Sequence, residues 1–148
     1  MRGGERSLGK KTNEGFLASY MELDRVTSEM FGISIGGVTE YINKLNNARF
    51  APGREEALPR LVRYRNLRNK LAHEPGAIRR ISEITKQDTK WVKGFAKDVV
   101  KGRDPISIYL KKARRYSLRR KIYKGISLGS AVILILSIIA FILHSCMK

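Results

Sequence analysis

Arg68-Asn69-Lys70-Leu71-Ala72-His73 is the one stretch of this chain that gathers side chains able to grip a phosphate and move a proton. A guanidinium holds phosphate oxygens through charge-assisted, often bidentate hydrogen bonds. An imidazole titrates near pH 6.5 in model compounds, so a His at this place can act as general base or acid at neutral pH. If the segment is helical, Asn69 and His73 stand at i and i+4 and share a face. Arg68 and His73 are about 140° apart on an ideal helix, so they converge only if the Arg side chain wraps round or the helix distorts near its end. Arg65 and Lys70 are further cations beside the pair, with solvated surface as the plainer role of each. The plainer reading of the pair is a surface His at a helix C-terminus, where carbonyl dipoles favour a cation, beside an Arg paired to a carboxylate.

These residues need a scaffold, and the pattern around them is helical. Apolar residues recur at helical spacing through most of residues 16–110, while strand-like alternation is scarce. The spacing predicts a first helix over Phe16 to Met30, with Phe16, Leu17, Tyr20 and Leu23 turned inward and Met30 and Phe31 as further candidates. Gly32, Gly36 and Gly37 punctuate the chain after it, and a second helix runs from about Val38 to Asn47. A third begins near Arg54 or Pro59 and carries Leu61, Tyr64, Leu67 and Leu71 as its core stripe. It must stop near His73, because Pro75 disfavours the helical conformation at Glu74 and Gly76 completes the break. Trp91, Val92, Phe95, Val99 and Val100 suggest a fourth helix, again as core. Asp104 and Pro105 form a cap and first-turn pair for a last one.

The segment Arg68 to His73 resembles the Arg-x4-His signature of the HEPN superfamily, in which a polar residue, often Asn, follows the Arg. Arg68, Asn69 and His73 fit that form, and the break at Glu74-Pro75-Gly76 fits its usual place between two helices. The resemblance is sharp at the motif and loose over residues 16–110. It implies an α-helical bundle that dimerises and brings two copies of the motif into a cleft. Many such proteins are metal-independent endoribonucleases, often toxins or defence effectors. In that reading the neighbouring 2′-hydroxyl attacks the RNA phosphodiester, His73 moves the proton, Arg68 stabilises charge on the phosphate oxygens, and Asn69 orients one or the other. The catalytic set is then Arg68, Asn69 and His73, with Arg65 and Lys70 binding RNA.

No phosphate-binding glycine loop, metal-spaced His or Cys set, Ser-His-Asp arrangement or internal repeat is visible, so no cofactor or metal is expected. The single cysteine, Cys146, allows no disulfide within the chain.

The formal charge is +17. Of the 30 Lys and Arg, 21 fall in residues 1–110 with all 13 acids, a net of +8 there. Lys111, Lys112, Arg114, Arg115, Arg119, Arg120, Lys121 and Lys124 crowd into one acid-free stretch. Behind it, residues 125–147 hold no Asp, Glu, Lys or Arg, and Ala131 to Leu143 is almost wholly aliphatic. About 20 helical residues cover a hydrocarbon core of roughly 30 Å, which makes 125–147 a candidate single transmembrane helix. The basic flank is a topology signal that keeps the N-terminal domain cytoplasmic and can grip anionic lipid; an RNA-binding stripe is its alternative. Gly125 and Gly129 are a small-xxx-small pair that lends weak support to a dimer.

The expected organisation is therefore a flexible basic arm (1–15), an all-α HEPN-like bundle (16–110), a basic juxtamembrane segment (111–124) and a membrane anchor (125–147) in the cell membrane. Three functions compete. The first is a membrane-tethered ribonuclease, with an antitoxin or other partner protein as a candidate counterpart. The others are a non-catalytic HEPN-like binding module and a tail-anchored adaptor.

Overall fold

A computed structural model describes residues 2–120 and 122. It divides into two units, Met1–Tyr109 and Leu110–Lys148. The first is built from α1 (Arg2–Phe31), α2 (Gly37–Asn47), α3 (Arg54–His73), α4 (Ala77–Arg80) and α5 (Lys86–Val100), with a further helical run opening at Pro105. Among the described residues there is no strand, and the domain is all-α. In the second unit, 110–120 is helical with exposed basic side chains. No helix among the described residues is long and apolar enough to cross a membrane. The expected span, 125–147, lies outside the described residues.

The first helix corrects one expectation. The arm expected over 1–15 is helical from Arg2 onward as part of α1, and Asn13 is 1% exposed. The physical reason is a polar tether. The Asn13 carboxamide donates to the carbonyls of Ile78 (3.0 Å) and Ile81 (2.8 Å), which ties this part of α1 to α4 and the strap behind it.

An aromatic chain runs through the core. Phe16 meets Tyr64 edge-on at 5.5 Å, Tyr64 meets Trp91 at 5.4 Å, Trp91 stacks on Phe95 at 4.9 Å, and Phe95 meets Tyr41 at 5.4 Å. The rings join α1, α3, α5 and α2 in turn, each pair adding about 0.5–1.5 kcal/mol beyond its burial. Leu61, Tyr64, Leu67 and Leu71 form the buried stripe of α3. Val92, Phe95 and Val99 do the same for α5, whereas Val100 is turned outward and 71% exposed.

Polar joints fix the helices lengthwise. Thr85 and Asp88 close a capping box at the start of α5. The Asp88 carboxylate also accepts from Arg63 Nη1 and Tyr64 Oη, each at 2.9 Å, pinning α5 to one face of α3. Asp104 accepts from the amides of Ile106 and Ser107 (3.1 Å each) and from the Tyr41 hydroxyl (2.6 Å), so the expected cap is also a link to α2. Burial and this carboxylate together push the Tyr41 hydroxyl far above its ordinary pKa.

Candidate functional site

Heptad-like spacing buries Leu61, Tyr64, Leu67 and Leu71; Arg65 and Arg68 stand half-buried beside that stripe, while Asn69 and His73 are exposed. Arg65, Arg68 and Asn69 line a groove of about 690 Å³ between α3, α1 and the α1–α2 turn. Tyr20, Asp24 and Ser28 form its α1 wall, and Ile33 and Ile35 form its rim. His73 does not line this groove. It lies at the last position of α3, one turn beyond Asn69 on the exposed face, and its ring has no hydrogen-bond or ion-pair partner among the described residues.

The groove wall depends on how closely α1 and α2 approach. A Cβ at Gly37 would sit 2.2 Å from the Ser28 amide nitrogen, so only glycine fits there. The Ser28 hydroxyl accepts from the Gly37 amide at 3.0 Å. Asp24 accepts from the amides of Val38 (2.9 Å) and Gly36 (3.3 Å), serving as the cap that Gly36 itself cannot provide. A neighbouring helix thus supplies what an N-terminal Ser or Asp would do locally.

That arrangement decides the electrostatics. The Asp24 charge faces the N-terminus of α2, where the helix dipole is positive. Arg25 is held by Glu22 and Glu29 on its own helix. Arg65 and Arg68 have no ion-pair partner among the described residues; Arg68 makes only a long contact of 3.4 Å to Asn69 Oδ1. They are the uncommitted cations of the groove. Tyr20 feels them: burial, then Asp24, raises its hydroxyl pKa well above the ordinary value, while Arg68 and Arg65 pull it down.

The residues singled out from sequence therefore separate into three places. Arg65, Arg68 and Asn69 come together. His73 is about 7.5 Å further along the axis from Arg68, by the helical rise of five residues. Lys70 lies round the helix from them, in a depression shared with Asn66, Arg63 and Glu83. Tyr20, Asp24 and Ser28 were not identified as site residues, and no local pattern marks them: they reach the groove only because α1 crosses α3. Among the described residues, no three His, Cys, Asp or Glu side chains gather as a metal-binding group.

Compared with known families, residues 14–127 match a model described as "Family of unknown function (DUF6548)". The match takes in the groove, the Arg68–His73 segment and the basic run. No curated protein and no solved structure matches the chain.

Proposed function

This chain belongs to the DUF6548 family, whose function is unknown, and we propose that it is a membrane-anchored, metal-independent endoribonuclease of the toxin or defence type. The fold we propose for it is HEPN-like, acting as a homodimer. One observation carries this reading: Arg65 and Arg68, free of carboxylate partners among the described residues, flank a groove, and His73 follows five residues after Arg68 at the end of α3.

Two guanidiniums at such a place bind the oxygens of a phosphodiester, and the charge that grows there in the transition state strengthens the contact. His73 takes the proton of the 2′-hydroxyl as that oxygen attacks phosphorus. The bond from phosphorus to the 5′-oxygen breaks, and the leaving oxygen must receive a proton. In a homodimer the partner copy offers a second His73 for that role, which is the chemical reason for pairing two motifs. Asn69, beside Arg68, orients phosphate or imidazole. The basic segment 111–124 and the apolar 125–147 support an anchor with the domain on the cytoplasmic side and anionic lipid at the basic run.

A second reading is a binding module without turnover, and one observation favours it. No described residue orients the His73 ring, whereas general bases are commonly held by a hydrogen bond.

The test is incubation of the full chain, in nonionic detergent, with RNA in excess EDTA, beside His73→Ala. The proposal expects cleavage by the wild type and a loss of about 10²–10⁴-fold in the variant. RNA binding with no cleavage by a folded wild type would establish the binding module instead, and equal cleavage by both proteins would remove His73 from the mechanism.

A further inference from the structure

Lys86, Lys90, Lys93, Lys97 and Lys101 recur along α5 and its C-cap at steps of three and four residues. On a helix those steps confine them to an arc of about 80° over a length of roughly 22 Å. All five side chains are exposed, and none has an ion-pair partner among the described residues. Like charges at i,i+4 destabilise a helix by a few tenths of a kcal/mol per pair.

The stripe borders a groove of about 460 Å³ between α5 and α1. Val26 and Ala96, buried at 5% and 6% exposure, form part of its floor, and Ala18 and the 71%-exposed Val100 stand at its edge. At one end it meets a second hollow through Gly15, where Lys11 and Lys86 stand. Among the described residues, the only acid lining the groove is Glu22, and it is already bound to Arg25. Gly15, Ala18 and Ser19 keep the α1 side low, which lets another backbone come close.

We propose that the α1–α5 groove docks an acidic amphipathic helix of a partner protein, whose apolar face fills the floor and whose carboxylates meet the α5 lysines. Three features select this occupant. A concave apolar floor suits a helix laid in a groove. A bilayer surface is flat and cannot fill it, and a sugar–phosphate backbone has nothing apolar to place there. A second copy docked here through its own α5 face would set lysines against lysines, and like-charged faces repel. The groove shares no lining residue with the Arg65–Arg68 groove. The proposal therefore stands or falls independently of ribonuclease activity.

The probe is a fluorescein-labelled synthetic helical peptide of about 18 residues, long enough to run the length of the stripe. It carries Glu on one face and Ala and Leu on the other. A scrambled peptide of the same composition, an oligo(U) and anionic phosphatidylserine vesicles are the comparison ligands. Binding to the full chain is followed by anisotropy, with Lys93→Glu/Lys97→Glu and Ala18→Trp as variants whose fold is checked by circular dichroism. The expected result is at least about tenfold tighter binding of the amphipathic peptide than of the scrambled one, lost by about tenfold in each variant. Equal binding of the scrambled peptide, or indifference to the lysine pair, would overturn the proposal. So would displacement of the peptide by oligo(U) or vesicles, which would assign the stripe to a polynucleotide or a membrane. Should Ala18→Trp fail to fold, the lysine pair and the scrambled peptide decide.

Discussion

Two faces of α3 carry arginines a few residues apart, and they do opposite things. On one face Arg63 is fastened: it bonds the Asp88 carboxylate at 2.9 Å and the Glu83 carbonyl at 3.1 Å, while Tyr64 beside it bonds the same carboxylate. On the other, Arg65 and Arg68 open into a groove and form no ion pair among the described residues, although Asp24 and Glu29 also line it. An arginine that closes a joint is marked by its partners, and one that makes no ion pair by their lack. Residue type alone assigns neither role. What separates them is which neighbouring helix supplies an acid, and α5 supplies Asp88 while α1 turns Asp24 to the amides of α2.

This contrast between the two faces is most exposed to damage where the groove wall itself is built. Gly37→Ala places a methyl 2.2 Å from the Ser28 nitrogen, and we expect it to cost about 3 kcal/mol in chemical denaturation, the upper range for overpacking. An unchanged midpoint would mean that α1 and α2 do not meet as described. Next comes Asp88→Ala, which removes the capping-box acceptor and leaves the buried Tyr64 hydroxyl without its partner; about 2 kcal/mol is expected, from a lost cap and one unmet buried donor.

Acid probes the fastened face in another way. Burial alone would raise the Asp88 pKa, but hydrogen bonds from Thr85, Tyr64 and Arg63 outweigh it and hold the carboxyl below its ordinary value. Its share of stability is therefore present above about pH 4, the unfolded value, and is lost as pH falls through the folded one. Asp88→Asn should flatten the fall in denaturation midpoint between about pH 5 and pH 3, and an unaltered slope would assign that fall to other carboxyls. The smallest effect belongs to the open face. Arg68→Ala should change stability by no more than about 0.5 kcal/mol, as for a surface side chain away from buried networks.

How far the sequence disclosed this depends on the range of each interaction. The α3 stripe and its stop at Glu74-Pro75-Gly76 were legible because spacing and the pre-proline restriction act locally. So was the Asp104 cap. The Asn13 tether was not, since it spans 65 and 68 residues to Ile78 and Ile81. The single turn of α4 is too short to show a period. Val100 fitted the apolar spacing of α5 yet faces outward, because that period alone does not say which edge of the stripe a neighbour covers. At the site, Arg68 and Asn69 were legible as a pair, whereas the groove walls of Tyr20, Asp24 and Ser28 exist only through helix crossing.

The decisive experiment sets the two arginines against each other. RNA cleavage in EDTA and denaturation midpoint would be measured for the full chain beside Arg63→Ala and Arg68→Ala. The expected outcome is crossed: Arg68→Ala loses cleavage by about 10²-fold or more with its stability kept, and Arg63→Ala keeps cleavage while losing about 1 kcal/mol. An Arg68→Ala protein that cleaves as the wild type does, or two variants whose cleavage falls only as their stability falls, would contradict the division of labour between the two faces.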